Sequence, residues 1–224
     1  MATVAARLAP AKTWNSVVLD GVSWDEYEAQ LRIVGDRHVR VNYDAGRMEI
    51  MSPLIRHGNG SYVLGRMVDT LTDALRLRVV AADPVTLKRA DLLKGVEPDK
   101  LYFFGEKTSA LKRARELDLT VVAPPDLIIE VDVTANSVPR MPIFAAMGIL
   151  EIWRLEGEDL EFLHLQFDGT YQARDRSRTF PIVSLAEFAP FVVEGLRSED
   201  MSDWIRGFQD FVREVLVPRE AGGP

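Results

Sequence analysis

Apolar residues recur at helical spacing in three stretches of the chain and alternate at strand spacing in several others. Ser23 and Glu26 stand at capping-box distance, and Trp24, Tyr27, Leu31 and Val34 follow on one face, which predicts a helix. Val39, Val41 and Tyr43 then alternate, Asp44-Ala45-Gly46 turns, and Met48 and Ile50 alternate again, so a β-hairpin closed by Ser52-Pro53 is expected. Residues 60–78 read as a longer amphipathic helix with Leu64, Met67, Val68, Leu71 and Leu75 facing inward. Short strands are predicted at 79–82, 85–87 and 99–104, and the mostly charged stretch 105–118 as a surface loop or helix with a solvated basic half. A short helix near 142–147 stops at Gly148, strands follow at 149–155 and 160–166, and Asp168-Gly169 marks another hairpin. Ser184 and Glu187 form a second capping box. The last helix, from about Ser198, buries Trp204, Ile205, Phe208, Phe211 and Val212, either in the core or at a homodimer seam.

With 27 basic and 34 acidic residues in 224, the chain carries a net charge of −7. That excess of acid argues against non-specific adhesion to nucleic acid, which Lys and Arg supply, but leaves room for a locally basic cleft. The chain has no cysteine, so disulfides, thiol nucleophiles and cysteine-ligated metals are excluded, and a reducing, cytoplasmic setting fits. No apolar run reaches the ~18–20 residues that span a bilayer. No repeat or linker divides the chain, and an α/β (α+β) fold with a mixed sheet is the simplest account. Residues 1–20 are expected to be a flexible tail, 21–217 one domain and 218–224 a frayed end.

Several chemistries are missing from the pattern. There is no phosphate-cradling G-x-x-x-x-G-K-[ST], no nucleophile elbow, and Gly58-Asn59-Gly60 lacks the context of a dinucleotide fingerprint. His38, His57 and His164 lie too far apart in sequence for a histidine zinc motif, and His164 reads as a strand surface residue.

Carboxylates carry the more informative signal. If residues 126–133 form a strand, Leu127, Ile129, Val131 and Val133 share one face, and Ile128, Glu130 and Asp132 the other. Charges on a central strand cost several kcal/mol unless paired or metal-bound. A half-exposed strand with a polar outer face is the alternative. Upstream, Glu97-Pro98-Asp99 opens the strand 99–104. Two neighbouring strands could bring Asp99 and Glu130 to one point as hard oxygen ligands for Mg²⁺ or Mn²⁺.

That order of Pro-Asp and strand Glu is the skeleton of PD-(D/E)xK nucleases. The chain resembles one branch of them, the Uma-type family of restriction-endonuclease-like proteins. The resemblance rests on Val22-Ser23-Trp24-Asp25-Glu26-Tyr27, on Met48-Glu49-Ile50-Met51-Ser52-Pro53 with His57, and on Glu97-Pro98-Asp99. It continues through Pro125-Asp126-Leu127-Ile128-Ile129-Glu130-Val131-Asp132-Val133-Thr134 and Ile143-Phe144-Ala145-Ala146-Met147-Gly148-Ile149-Leu150-Glu151-Ile152-Trp153-Arg154. The resemblance implies a restriction-endonuclease-like mixed central sheet flanked by helices. It also implies a metal site at Asp99 and Glu130, with the carbonyl of Val131 as a further ligand. Asp132 stands where the family's E-x-K carries lysine, and Arg140 lies where a basic residue of the following helix would fall. Arginine keeps its charge and cannot activate water as lysine can, but it can steady developing phosphoryl charge. Glu49 and His57 are secondary candidates.

The implied activity is metal-dependent endonucleolytic hydrolysis of DNA. The alternatives are a catalytically degenerate, dimeric binding module and a hydrolase of smaller phosphoesters, which would need a closed pocket. A ring of Arg56, Lys88, Arg89, Lys112 and Arg140 around the carboxylates would favour nucleic acid; a neutral surround would favour the binding module.

Overall fold

A computed structural model describes residues 16–52, 55–82, 85–110, 116–132 and 138–222. Helix α1 (Trp24–Val34) begins as its pattern predicts, with Ser23 and Glu26 closing a reciprocal capping box. Strand β1 (Ser16–Asp20) precedes it, and β2 (Arg40–Asp44) with β3 (Arg47–Met51) form the expected hairpin. Within the stretch expected to be a tail, Ser16–Asp20 is a strand that pairs antiparallel with β3, from Ser16 opposite Met51 to Asp20 opposite Arg47, and residues 1–15 lie outside the described residues. Its alternating Val17 and Leu19 stay exposed, so their pattern gave no sign of burial.

Helix α2 (Ile55–Ala74) starts earlier than predicted. Strands β4 (Val79–Ala82), β5 (Thr86–Arg89), β6 (Lys94–Val96) and β7 (Lys100–Phe104) follow. The charged insertion forms a 3₁₀ segment, Gly105–Ala110, and a short strand β8 (Glu116–Asp118). Then come β9 (Leu127–Asp132), α3 (Arg140–Ala146), β10 (Glu151–Glu156), β11 (Asp159–Leu165) and β12 (Tyr171–Arg174). Helices α4 (Leu185–Arg197) and α5 (Met201–Phe211) close the fold. From α5 the chain continues through a π-helical turn, Val212–Leu216, into α6 (Val217–Gly222), so the expected frayed end is helical up to Gly222. Ser184 caps α4 differently from expectation: its hydroxyl donates to Glu187 at 2.5 Å and accepts no helix N–H, while Glu187 is held by Arg219 at 2.7 Å.

Two mixed sheets result where one was expected. Their strand orders are β1-β3-β2-β6-β5-β8 and β12-β11-β10-β9-β7-β4. The second is the central sheet. Its one parallel pair, β9 with β10, is joined through α3, while its other pairs are antiparallel. One face of this sheet, with Leu127, Ile129 and Val131, packs on α2, α4 and α5. Trp204 and Phe208 lie in that core, which accounts for the C-terminal aromatics. Ile128 and Leu101 on the other face join α3 and side chains of the first sheet, Leu87 and Val96.

Close approach of α2 depends on glycine. A Cβ at Gly60 would lie 2.9 Å from Leu155, and one at Gly65 would lie 2.8 Å from the Lys100 stem. Lys100 thus runs across α2, on the face opposite Asp99, as strand alternation requires. Among the described residues, no helix is long and apolar enough to cross a membrane.

Candidate functional site

The antiparallel register of β7 and β9 sets Lys100 opposite Ile129 and Leu101 opposite Ile128. One step further, Asp99 comes across from Glu130, and the two side chains share the face that α3 covers. Both are deeply buried, at 2% and 0% exposure. The backbone N–H of Val131 donates to Asp99 Oδ2 at 2.7 Å. In extended chain the N–H and C=O of one residue leave the same edge, so the Val131 carbonyl also faces the β7 side. The residues that sequence reasoning named as metal ligands therefore converge.

Two arginines neutralise them. Arg40, from β2, donates to Asp99 Oδ1 at 2.5 Å and lies 3.4 Å from Glu97 Oε1. Arg140, the first residue of α3, forms an ion pair with Glu130 Oε1 and donates to the Glu97 carbonyl. Burial pulls the Arg140 pKa down to about 10, against the upward pull of Asp99 and its neighbouring acids, so the group stays charged at neutral pH. Arg140 is therefore a fixed cation rather than a base. Its ring neighbour Phe144 lies 5.5 Å below the guanidinium.

The polar cluster extends between the two sheets. Asn42 donates to Glu49 Oε2 at 3.4 Å, and its own carbonyl accepts from the Glu97 N–H at 3.5 Å. Glu49, one of the secondary candidates, is thus buried beside this network. Glu130 Oε2 and, in the same ion pair, Arg140 Nε are buried with no hydrogen-bond partner among the described residues. A buried, unpartnered carboxylate oxygen is costly unless something else satisfies it.

Asp132 shares Glu130's face and pairs with Arg154 at 2.7 Å, while Arg140 pairs with Glu130. Arg154 lies opposite Glu130 on β10 and also reaches Glu156 at 2.9 Å. His57 lies at the start of α2, and its side chain, with those of Arg56, Lys112 and Val133, lies outside the described residues. The other cations of the expected ring are engaged elsewhere. Lys88 bridges Glu28 and Glu116 at 2.8 and 2.6 Å, and Arg89 holds Asp91 at 2.7 Å. Among the described residues no group of three histidine or acidic side chains is placed to hold a metal by itself.

The Uma2 family, described as "Putative restriction endonuclease", matches residues 24–196. The chain belongs to the Uma2 family. Its solved structural neighbours include one titled "Crystal structure of a putative nuclease belonging to DUF820 from Anabaena variabilis ATCC 29413 at 1.96 A resolution". That neighbour is 13% identical and has a TM-score of 0.50, over 82% of this chain and 99% of its own. It shows the restriction-endonuclease-like fold. No curated protein matches the chain.

Within this Uma2 chain, sequence reasoning missed Arg40 and Arg154. Arg40 stands 59 residues from the carboxylate it holds, and only a charged residue between two inward-facing valines hinted at it. Arg154 belongs to the matching motif, but nothing in its spacing shows that it would take Asp132. Glu151, also fully buried, reads in the sequence as an ordinary strand residue.

Proposed function

We propose that this protein is a metal-dependent nuclease that hydrolyses DNA phosphodiester bonds at the Asp99–Glu130 pair. The observation that supports it is the buried, unpartnered Oε2 of Glu130 lying across from Asp99. Two carboxylates, the Val131 carbonyl and water form a donor set of hard oxygens that suits Mg²⁺ or Mn²⁺, since Mg²⁺ commonly takes one or two carboxylates and keeps several waters. When bound, such an ion supplies Lewis-acid polarisation of the phosphoryl group and an activated water.

The chain's own groups do the rest. Asp99 is oriented by Arg40 and by the Val131 N–H, so its carboxylate is fixed before any ligand arrives. Arg140, permanently charged, is placed to stabilise the negative charge that grows on the phosphoryl oxygens. Asp132, held by Arg154, borders the pair on the same sheet face. The absence of cysteine fits a cytoplasmic setting.

Titration of Mn²⁺ and Mg²⁺ by calorimetry tests the assignment, wild type against Asp99→Asn/Glu130→Gln, which keeps the arginine contacts. Uptake that disappears in the double variant, with plasmid nicking that disappears alongside, is the expected result. Equal uptake in both proteins would refute the site.

One observation favours a second reading. Both carboxylates already carry an arginine, and no lysine follows Glu130 at the E-x-K position. A catalytically silent, dimeric binding module would have this arrangement. It predicts no metal uptake by folded protein and a dimer on size-exclusion chromatography.

A further inference from the structure

A cleft of about 630 Å³ opens between the end of α1 and β2, and one of its lining residues is Arg40, the same arginine that holds Asp99. Its wall is aliphatic, from Leu31, Val34 and Val39, and its rim carries the exposed Arg32, Arg37 and His38. Its acids all have partners: Glu97 lies 3.4 Å from Arg40, Glu116 lies 2.6 Å from Lys88, and Asp36 on the rim is engaged as well. Arg32 and Arg37, in contrast, form no ion pair with any described residue. Arg37 donates to the carbonyls of Ile33 and Val34, which offsets the negative end of α1 where an anion would otherwise be repelled.

We infer that this cleft holds one nucleotide of a single-stranded nucleic acid. The base lies on the aliphatic wall and the adjoining phosphates meet Arg32, Arg37 and His38, at the end of the cleft where Arg40 reaches inward to Asp99. Small-ligand pockets span roughly 300–1,000 Å³, so this volume suits a single nucleotide. A base inside a duplex is tied to the opposite strand and could enter only by being extruded, at a cost of a few kcal/mol. Cationic rim and apolar wall together match the two faces of a nucleotide, its phosphate and its base. The inference rests on the nuclease reading for its direction, since it names the substrate of that same site.

The test is fluorescence anisotropy with a fluorescein-labelled (dT)₁₀ and a hairpin duplex of equal length, in EDTA so that no cleavage occurs. Wild type is expected to bind the single strand more tightly than the hairpin. Arg32→Glu and His38→Glu, both at exposed positions, should each weaken single-strand binding about tenfold, and Arg32→Glu should also reduce the salt slope by about 0.7 for the phosphate left without its cation. Unchanged affinity in both variants, or a hairpin bound as tightly as the single strand, would overturn the inference. Mn²⁺ calorimetry on wild type and Arg32→Glu separates the two readings. Metal uptake with strand binding indifferent to Arg32 removes the cleft and keeps the metal site; strand binding that depends on Arg32, without metal uptake, keeps the cleft and removes the metal site.

Discussion

Two glutamates on adjacent strands of the central sheet are equally buried and differ in what touches them. Glu151, on β10, receives hydrogen bonds from the Arg178 and Thr179 backbone at 2.9 and 2.6 Å and from the Trp153 indole at 3.1 Å. Glu130, on β9, has one oxygen on Arg140 and one with no partner. The first is surrounded by fixed neutral donors that pin the 177–180 turn to the sheet. The second sits among charges with one valence of its carboxylate unused. Burial of an acid therefore does not mark a site; the kind and completeness of its partners does.

The largest expected effect separates the two on stability. Glu151→Ala leaves the buried Trp153 indole and two half-buried backbone N–H groups without their acceptor and should cost about 2–4 kcal/mol, read as a lower urea midpoint. A loss under about 1 kcal/mol, the worth of a single ordinary hydrogen bond, would make Glu151 no pin at all. Next comes the effect of metal. Saturation of the proposed site at about a hundred times its dissociation constant should stabilise the wild type by about 2.7 kcal/mol. Glu130→Gln should lose that gain and Glu151→Gln should keep it, which thermal melts with and without Mn²⁺ will show. If both variants keep the gain, the ion binds elsewhere.

A smaller effect lies in pH. Burial pushes the Glu151 pKa up, but His164 and the donors at Thr179 and Arg178 pull it down further, so it is lowered overall from 4.5. A depressed carboxylate adds stability that is present above its unfolded pKa and fades as pH falls through the folded one. The stability gap between wild type and Glu151→Gln should therefore be full at pH 7 and shrink below about 4.5. Urea unfolding at pH 7, 4 and 3 measures it, and a gap that widens with acid would contradict the sign. The smallest change is expected for His164→Asn. The imidazole lies 3.6 Å from Glu151, beyond hydrogen-bond length, so its removal should cost at most about 1 kcal/mol. A larger loss would mean that the pin relies on the histidine's charge.

Much of this was legible in the residues. The Ser23–Glu26 box, the 39–50 hairpin and the alternation of Leu127 to Asp132 are local patterns, and local patterns survive folding when each agrees with its neighbours. Convergence of Asp99 with Glu130 followed from two strands being neighbours, and Lys100 turned away as alternation demands. What escaped was long-range. Arg40 meets Asp99 because a second sheet lies against the central one, and no periodicity in the chain encodes that docking. Asp132 meets Arg154 because the parallel register puts β10 beside it. His164 turned inward toward Glu151 rather than outward to solvent, and Val17 and Leu19 form an edge strand without being buried. Ser184 forms no capping box because its hydroxyl donates to Glu187, which Arg219, 35 residues on, also holds, and accepts no helix N–H.

The two arginine contacts also close loops of very different size. Glu130 and Arg140 are 10 residues apart, whereas Arg40 and Asp99 are 59 apart. Closing the longer loop costs about 1.6 kcal/mol more in chain entropy, and such contacts generally form late. The β9–α3 half of the centre can thus assemble as a local unit, while the Arg40 half waits for the two sheets to meet. A chain caught before that meeting holds Glu130 and its arginine but lacks the Arg40 contact to Asp99, so the complete charge cluster marks the completion of folding.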